Sequence, residues 1–311
     1  MERRDVIELA YQLINEPIDP NLRCPVELQD IVNYKESEPG ETVEYFASSA
    51  QDRAITDLIT VDAAGSIVYV KIPLKSVSAL TFVGLQSKLE TILLDEIMNS
   101  KDNTALAAKK EGIIRGMDNE EIYRILNLCL AASTQEVHKT TGEDLLDVII
   151  KMKQKVSDYA TDYVLLVASD VMDKIESYDK DNAATYGFAF PIMDQIAKLG
   201  IKKIVKVIGQ TRFDASTKSV LADGKAILVG RNSNIAKGRP IEFLRRKFTK
   251  EIAELSGAGE GAVRLIKVLE TPYPVNTDHA NTLGYGVFGY ESVIQVLTNY
   301  RAVSWSDEII A

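Results

Sequence analysis

Few residues in this chain are of the types and spacing that do chemistry. Gly284-Tyr-Gly286-Val-Phe-Gly289 has the glycine spacing of a dinucleotide loop, where a tight turn lets backbone amides approach a pyrophosphate. It follows the polar residues 276–282 and no strand, and little chain follows in which to build the strand–helix–strand unit such a loop serves. A glycine-rich turn entering the last strands is expected instead. Gly257-Ala-Gly259-Glu-Gly261-Ala262 follows a charged, helix-like stretch and would set Glu260 against a phosphate. No Gly-x-x-x-x-Gly-Lys-Ser/Thr loop is present.

His138 and His279 are the only histidines, far apart in sequence. Zinc would need carboxylate ligands beside them, and a Ser-His-Asp triad needs a strained nucleophile elbow that no Gly-x-Ser-x-Gly supplies. Structural or surface histidines are expected. Asp170, Asp173 and Glu176 fall a helical turn apart behind an apolar run, where α/β enzymes place catalytic carboxylates, but helix capping and a solvated face explain them equally well. Arg245-Arg246-Lys247 could meet phosphate; with Phe243, Leu244 and Phe248 interleaved, it reads as the cationic face of an amphipathic helix. No catalytic, cofactor-binding or metal site is expected, and the chain does not read as an enzyme.

The 311 residues are 46% hydrophobic and 26% charged, with 18 Gly and 9 Pro, the composition of an ordinary folded protein of one or two domains. Two cysteines, Cys24 and Cys129, cannot make a disulfide framework or a four-thiolate zinc site. No apolar run reaches the ~18 residues of a membrane helix, and the cytosol is the expected compartment. A net charge of −9 argues against a dedicated nucleic-acid binder. Charge is unevenly spread, however: residues 198–250 hold fourteen Lys or Arg against three acids, net +11, leaving −20 on the rest. Complementary surfaces on neighbouring copies are the expected use of that asymmetry.

The elements that would position these residues follow from periodicity. A short helix opens the chain, and a polar arm runs from it to Pro39-Gly40. Residues 43–73 read as two long strands around a turn at 62–66, a ribbon too marginal to stand alone. Leu85, Leu89, Ile92, Leu93 and Ile97 predict an amphipathic helix over 82–100, and Ile122, Ile125, Leu126 and Cys129 a second over 120–132 after a stretch broken by Gly112 and Gly116. Thr140 and Glu143 offer a capping box for a helix carrying Leu145, Ile149, Met152 and Val156. A doubly buried strand over 163–168, helices over 169–178 and 191–199, a strand over 204–208 and a hairpin at Asp223-Gly224 make 140–230 an α/β unit. A basic helix over 240–256 and strands over 264–269 and 291–305 close the sequence.

This order, with the helix–strand–helix run Leu145-Leu-Asp-Val-Ile-Ile150 and 162–175, the strand 221–230 and the alternating segment 291–305, resembles the major capsid protein of tailed bacteriophages. The resemblance implies an α+β, Hong Kong 97-type fold: an N-terminal arm (1–41), an extended β-hairpin loop (42–76), a peripheral domain with a spine helix (77–139), an axial domain (140–239) and a return to the peripheral domain (240–311). Leu85, Leu89 and Ile92 would line the spine. It implies a structural protein assembling into an icosahedral shell around double-stranded DNA, with Ile67, Tyr69, Arg245 and Arg246 at subunit interfaces. Implied partners are other copies in hexamers and pentamers, a separate scaffolding protein, a portal and DNA held without sequence-specific contacts, with no membrane. Implied location is the virion, after assembly in the host cytoplasm. An encapsulin-type compartment shares this pattern. The other readings are a cytosolic α/β enzyme using Asp170, Asp173 or His138, and an interaction protein that forms no shell.

Overall fold

A computed structural model describes residues 28–46, 77–87, 90–93, 104–186, 191–207, 210–211, 217–218, 220–232, 238–255, 260–272 and 283–310. Strands β1 (Val32–Ser37), β2 (Val43–Phe46), β3 (Val77–Leu80), β4 (Val83–Gln86) and β5 (Glu90–Leu93) precede the 27-residue helix α1 (Thr104–Leu130). Helix α2 (Leu145–Val156), strand β6 (Asp162–Val167), helices α3 (Ser169–Tyr186) and α4 (Ile192–Lys198), and strands β7 (Ile201–Lys206), β8 (Gln210–Thr211), β9 (Thr217–Lys218) and β10 (Ala226–Arg231) follow. Then come β11 (Ile241–Arg246), α5 (Lys250–Leu255), β12 (Arg264–Pro272), β13 (Leu283–Leu297) and β14 (Val303–Ser306).

Two sheets organise the chain. The larger has six strands in the order β1-β11-β13-β12, with β4 and β5 also paired to the 15-residue β13. The smaller has the order β14-β10-β6-β7, antiparallel except for the parallel β6–β7 pair. One apolar core joins them: Ile125 and Leu126 of α1, Ile149 and Met152 of α2, all of Val164–Val167, Leu228 and Phe243 are buried together. No described helix is long and apolar enough to cross a membrane.

Local chemistry explains the central elements. In β6 every residue is buried, as a continuous apolar run flanked by strands on both sides requires. Helix α2 buries Leu145, Val148, Ile149, Met152 and Val156 on one stripe, a contribution of roughly 2 kcal/mol per side chain. Its start is the reciprocal pair Asp144–Asp147, where Asp147 N donates to Asp144 Oδ1 (3.0 Å) and Asp144 N to Asp147 Oδ2 (3.1 Å). The expected Thr140–Glu143 box makes only a turn ahead of it, Thr140 N donating to Glu143 Oε2 at 2.8 Å. Gly200, at φ +84°, ends the α4 segment in the left-handed region that glycine adopts without penalty.

Several expectations are corrected. Where the segment 82–100 is described it is strand and not helix: Leu85 lies in β4 and Ile92 in β5, both paired to β13, while Leu89 and Ile97 lie outside the described residues. The long helix is α1, continuous through Gly112 and Gly116 and held by Glu111–Arg115 and Glu120–Arg124 pairs four residues apart. Residues 240–256 form β11 and then the short α5, not one basic helix. Gly224 turns the chain at φ +75°, but no hairpin forms there, since β10 pairs with β6 and β14. Residues 284–289 lie inside β13 and are strand, not turn.

The assigned segments also cross the sheets differently. Part of the expected arm, residues 32–37, is a strand paired in parallel with β11. The C-terminal β14 pairs with β10, in the sheet built from 162–231. Of the long hairpin, only the base is described: Val43–Phe46 runs antiparallel to Val77–Leu80. Its turn at 62–66, and Ile67 and Tyr69, lie outside the described residues.

Candidate functional site

Helix α1 lies against the larger sheet, and a buried group of charges joins the two. Glu121 of α1 accepts two hydrogen bonds from Arg245 of β11, at 2.7 Å from Nε and 2.5 Å from Nη2. Arg264 of β12 donates from Nε to Glu291 Oε2 (2.6 Å) and from Nη1 to Asp118 Oδ1 (2.6 Å), and its Nη2 lies 3.0 Å from Glu121 Oε1. Arg264 and Glu291 are direct neighbours across the β12–β13 ladder. The guanidinium of Arg245 stacks 4.8 Å from the Tyr34 ring centroid. Four side chains are almost sealed from solvent: 0% of Glu121 and Glu291, 5% of Arg245 and 3% of Arg264 is exposed.

Three carboxylates meet two guanidinium groups here, so with every group ionised the cluster would carry one surplus negative charge. Burial pushes the Glu291 carboxyl up to about 7, overcoming the pull of Arg264 and helped by the nearby negative charge of Glu121. Burial likewise raises Asp118. Burial works against the charge on Arg264, but Glu121, Glu291 and Asp118 together hold it above the usual range. Glu291 Oε1 has no hydrogen-bond partner among the described residues. Beside the cluster, Gly84, Leu85, Ser87, Gly112, Ile113 and Met117 line a cleft of about 450 Å³ that Glu291 also borders.

A second region sits at the base of the long loop. Arg246 Nη2 donates to the Glu41 carbonyl at 2.8 Å, and its guanidinium lies 3.9 Å from the Phe82 ring centroid. The Glu41 carboxylate accepts from Glu38 N (3.0 Å) and Ser37 Oγ (2.9 Å), and these bonds hold its pKa below the ordinary value. Lys247 Nζ reaches Glu38 at 2.6 Å. Together these contacts fasten the chain on either side of β2 and β3 to the end of β11.

The four residues expected at interfaces divide accordingly. Arg246 is part of the loop base, whereas Arg245 is turned inward and occupied by Glu121, because the alternation of β11 buries Ile241, Phe243 and Arg245 on one face. The positive segment is also partly matched within its own chain: Lys203 and Arg231 reach Asp30, Lys202 reaches Asp162, and Lys206 reaches Asp173. Its charge is therefore not all available to a neighbour.

Asp170, Asp173 and Glu176 do not converge on a site. Asp170 Oδ2 accepts from Gly224 N at 2.7 Å, Asp173 pairs with Lys206 at 3.0 Å, and Glu176 is exposed. His138 is exposed beside Glu136, and His279 lies outside the described residues. The residues that sequence reasoning missed are Asp118, Glu121, Arg264 and Glu291. Only Arg264 and Glu291 stand in strands, as charges among apolar residues; Asp118 and Glu121 lie on α1, and nothing local marks the four as partners.

No family model matches the sequence, and no curated protein matches it either. Solved structures do. A structure from Microbacterium phage Oxtober96 is similar at TM-score 0.52 and 14% identity, covering 98% of this chain and 97% of that one. One from Mycobacterium phage Adephagia matches at TM-score 0.52 and 12% identity, with the same coverage. A phage-related protein from Bordetella bronchiseptica matches at TM-score 0.52 and 10% identity, covering 98% of both chains. Identity this low makes the likeness one of fold, and over almost its whole length this α+β chain has the fold of these phage and phage-related proteins.

Proposed function

We propose that the chain is the subunit of an icosahedral phage shell and that its work is self-assembly around packaged DNA. The observation that carries this reading is the fold, shared with phage structures over 98% of the chain. Fold does not by itself give function, so the reading also leans on geometry. Residues 47–76 leave and return through the antiparallel β2–β3 pair, whose flanks Arg246, Glu41 and Phe82 fasten to the larger sheet. A segment fastened at its base in this way is suited to engage a neighbouring copy, and one surface meeting a different surface generates rings when the rotation closes.

In this reading the smaller sheet with α2, α3 and α4 is the axial domain. The larger sheet with α1 is the peripheral domain, and α1 takes the role of spine helix. Ile67 and Tyr69 in the loop would contact a neighbouring copy. Scaffolding protein, portal and DNA are the further partners, and the virion is the location after assembly in the host cytoplasm. Sedimentation of the purified chain at low and high salt, with electron microscopy of the fastest fraction, tests the proposal. Capsomers, tubes or closed shells are the expected products. A monomer or dimer in every condition, with a co-expressed scaffolding protein included, overturns it.

A further inference from the structure

Outside the charge cluster, two extended segments bring three potential metal ligands together. Glu136 forms a parallel bridge with Trp305, and Val137 N donates to the Trp305 carbonyl at 2.8 Å. That register carries the chain on to His138 on one segment and Asp307 on the other. Glu136 and His138 are two residues apart in extended backbone and so face the same way. The ligand atoms of Glu136, His138 and Asp307 all lie within 4.8 Å of one another, with His138 Nδ1 4.0 Å from a Glu136 carboxylate oxygen.

We infer that Glu136, His138 and Asp307 form a divalent transition-metal site that clips the C-terminal end of β14 to the segment preceding α2. The donor set decides the class of ion. One imidazole nitrogen and two carboxylate oxygens suit zinc, whereas calcium and magnesium favour all-oxygen sets. Zinc bonds of about 2.0–2.2 Å bring tetrahedral ligands closer than the present spacing, and rotation of these side chains closes the difference. His138 and Asp307 are exposed and free to turn. Water would complete the coordination.

The lysines of the adjacent cleft are held by groups other than the three ligand side chains. Lys155 Nζ donates to the carbonyls of Thr134 (3.1 Å) and Glu136 (2.5 Å), and Lys151 Nζ pairs with Glu143 at 2.5 Å. Backbone positions on both sides are fixed independently of any ion, because Trp305 Nε1 also donates to the Ala132 carbonyl at 3.1 Å and β14 is paired to β10.

The test is calorimetric titration of the full-length chain with zinc chloride, repeated with His138→Ala, Asp307→Asn and His279→Ala, alongside cobalt absorption spectra. One zinc per chain is expected, with affinity reduced about tenfold or more in the first two variants and unchanged in the third. Cobalt should give visible bands in the wild type that are lost in His138→Ala. The melting temperature should rise with zinc in the wild type and not in His138→Ala. Both altered ligands are exposed, so the variants should fold as the parent does. Absent binding, binding indifferent to His138→Ala, or binding lost in His279→Ala alone overturns the inference. The readouts use unassembled chain, so they are independent of whether it builds a shell.

Discussion

Arg264 and Glu291 stand directly opposite each other on β12 and β13, with Nε 2.6 Å from Oε2 and both side chains closed off from solvent beneath α1. A paired carboxylate usually has its pKa lowered by its partner. Here Glu121 and Asp118 of α1 crowd the same site, which they share with Arg245 of β11 and Arg264, and desolvation dominates. The junction between helix and sheet is thereby linked to pH.

For Glu291 the sign follows from its folded pKa of about 7 against an ordinary 4.5. Between those values the folded chain binds a proton that the unfolded chain releases, so its contribution is present at low pH and is lost as pH rises through 7. The full difference corresponds to roughly 3 kcal/mol. Urea unfolding at pH 5 and pH 8 should show the parent losing stability relative to Glu291→Gln. A parent that gains on the variant over this interval contradicts the assignment.

Arg245 and Glu121 form a second buried pair, and removing Arg245 leaves Glu121 only Arg264, which Glu291 and Asp118 also share. Arg245→Met should cost about 3–5 kcal/mol in chemical denaturation. Arg245→Met combined with Glu121→Leu should cost less than Arg245→Met alone, since both charges leave together. If the double variant is the weaker of the two, the pair is not the source of the loss.

Glycines on the two sides of the same junction should behave oppositely. A Cβ at Gly289 in β13 would come 2.6 Å from Ile113 Cγ2 and 2.9 Å from Met117 Cε, so Gly289→Ala must displace the Ile113 side chain or α1 with it. Overpacking of this kind costs about 1–3 kcal/mol. At Gly112 and Gly116 a Cβ meets nothing within 4 Å. Alanine there should stabilise by up to about 1 kcal/mol per site through helix propensity. Thermal melts of the three variants check the ordering.

The same contrast explains what could be read from sequence. β6 and α2 were legible because their patterns agree with their burial: Leu145, Ile149, Met152 and Val156 form one helical stripe, and 163–167 is uninterruptedly apolar. Leu85 and Ile92 fit a helical spacing equally well, but β13, with fifteen residues, supplies strand partners that a local pattern cannot reveal. In β11, Arg245 hid the period of two by standing in the buried phase with Ile241 and Phe243. Gly112 and Gly116 suggested a break, yet helix ion pairs and the core contacts of Ile125 and Leu126 outweigh a cost of about 1 kcal/mol per glycine. The charge cluster was invisible because its members come from residues 118–121, 245, 264 and 291, which only the fold brings together.

Arg246 separates folding from assembly. Its side chain reaches the Glu41 carbonyl and the Phe82 ring, contacts at the base of the 47–76 loop and away from the main core. Arg246→Ala should therefore change unfolding free energy by about 1 kcal/mol or less, the range of a partly exposed contact. If the loop must leave its sheet at a fixed angle to meet a neighbouring copy, the same variant should assemble more slowly and into fewer closed particles, read by sedimentation velocity. Deleting residues 52–70 should abolish large particles while leaving the two sheets folded, because the cut falls between the paired strands Val43–Phe46 and Val77–Leu80 and leaves both in place. Assembly of the deletion variant at the parent's rate would remove the loop from the mechanism and leave α1 and the larger sheet to carry the subunit contact.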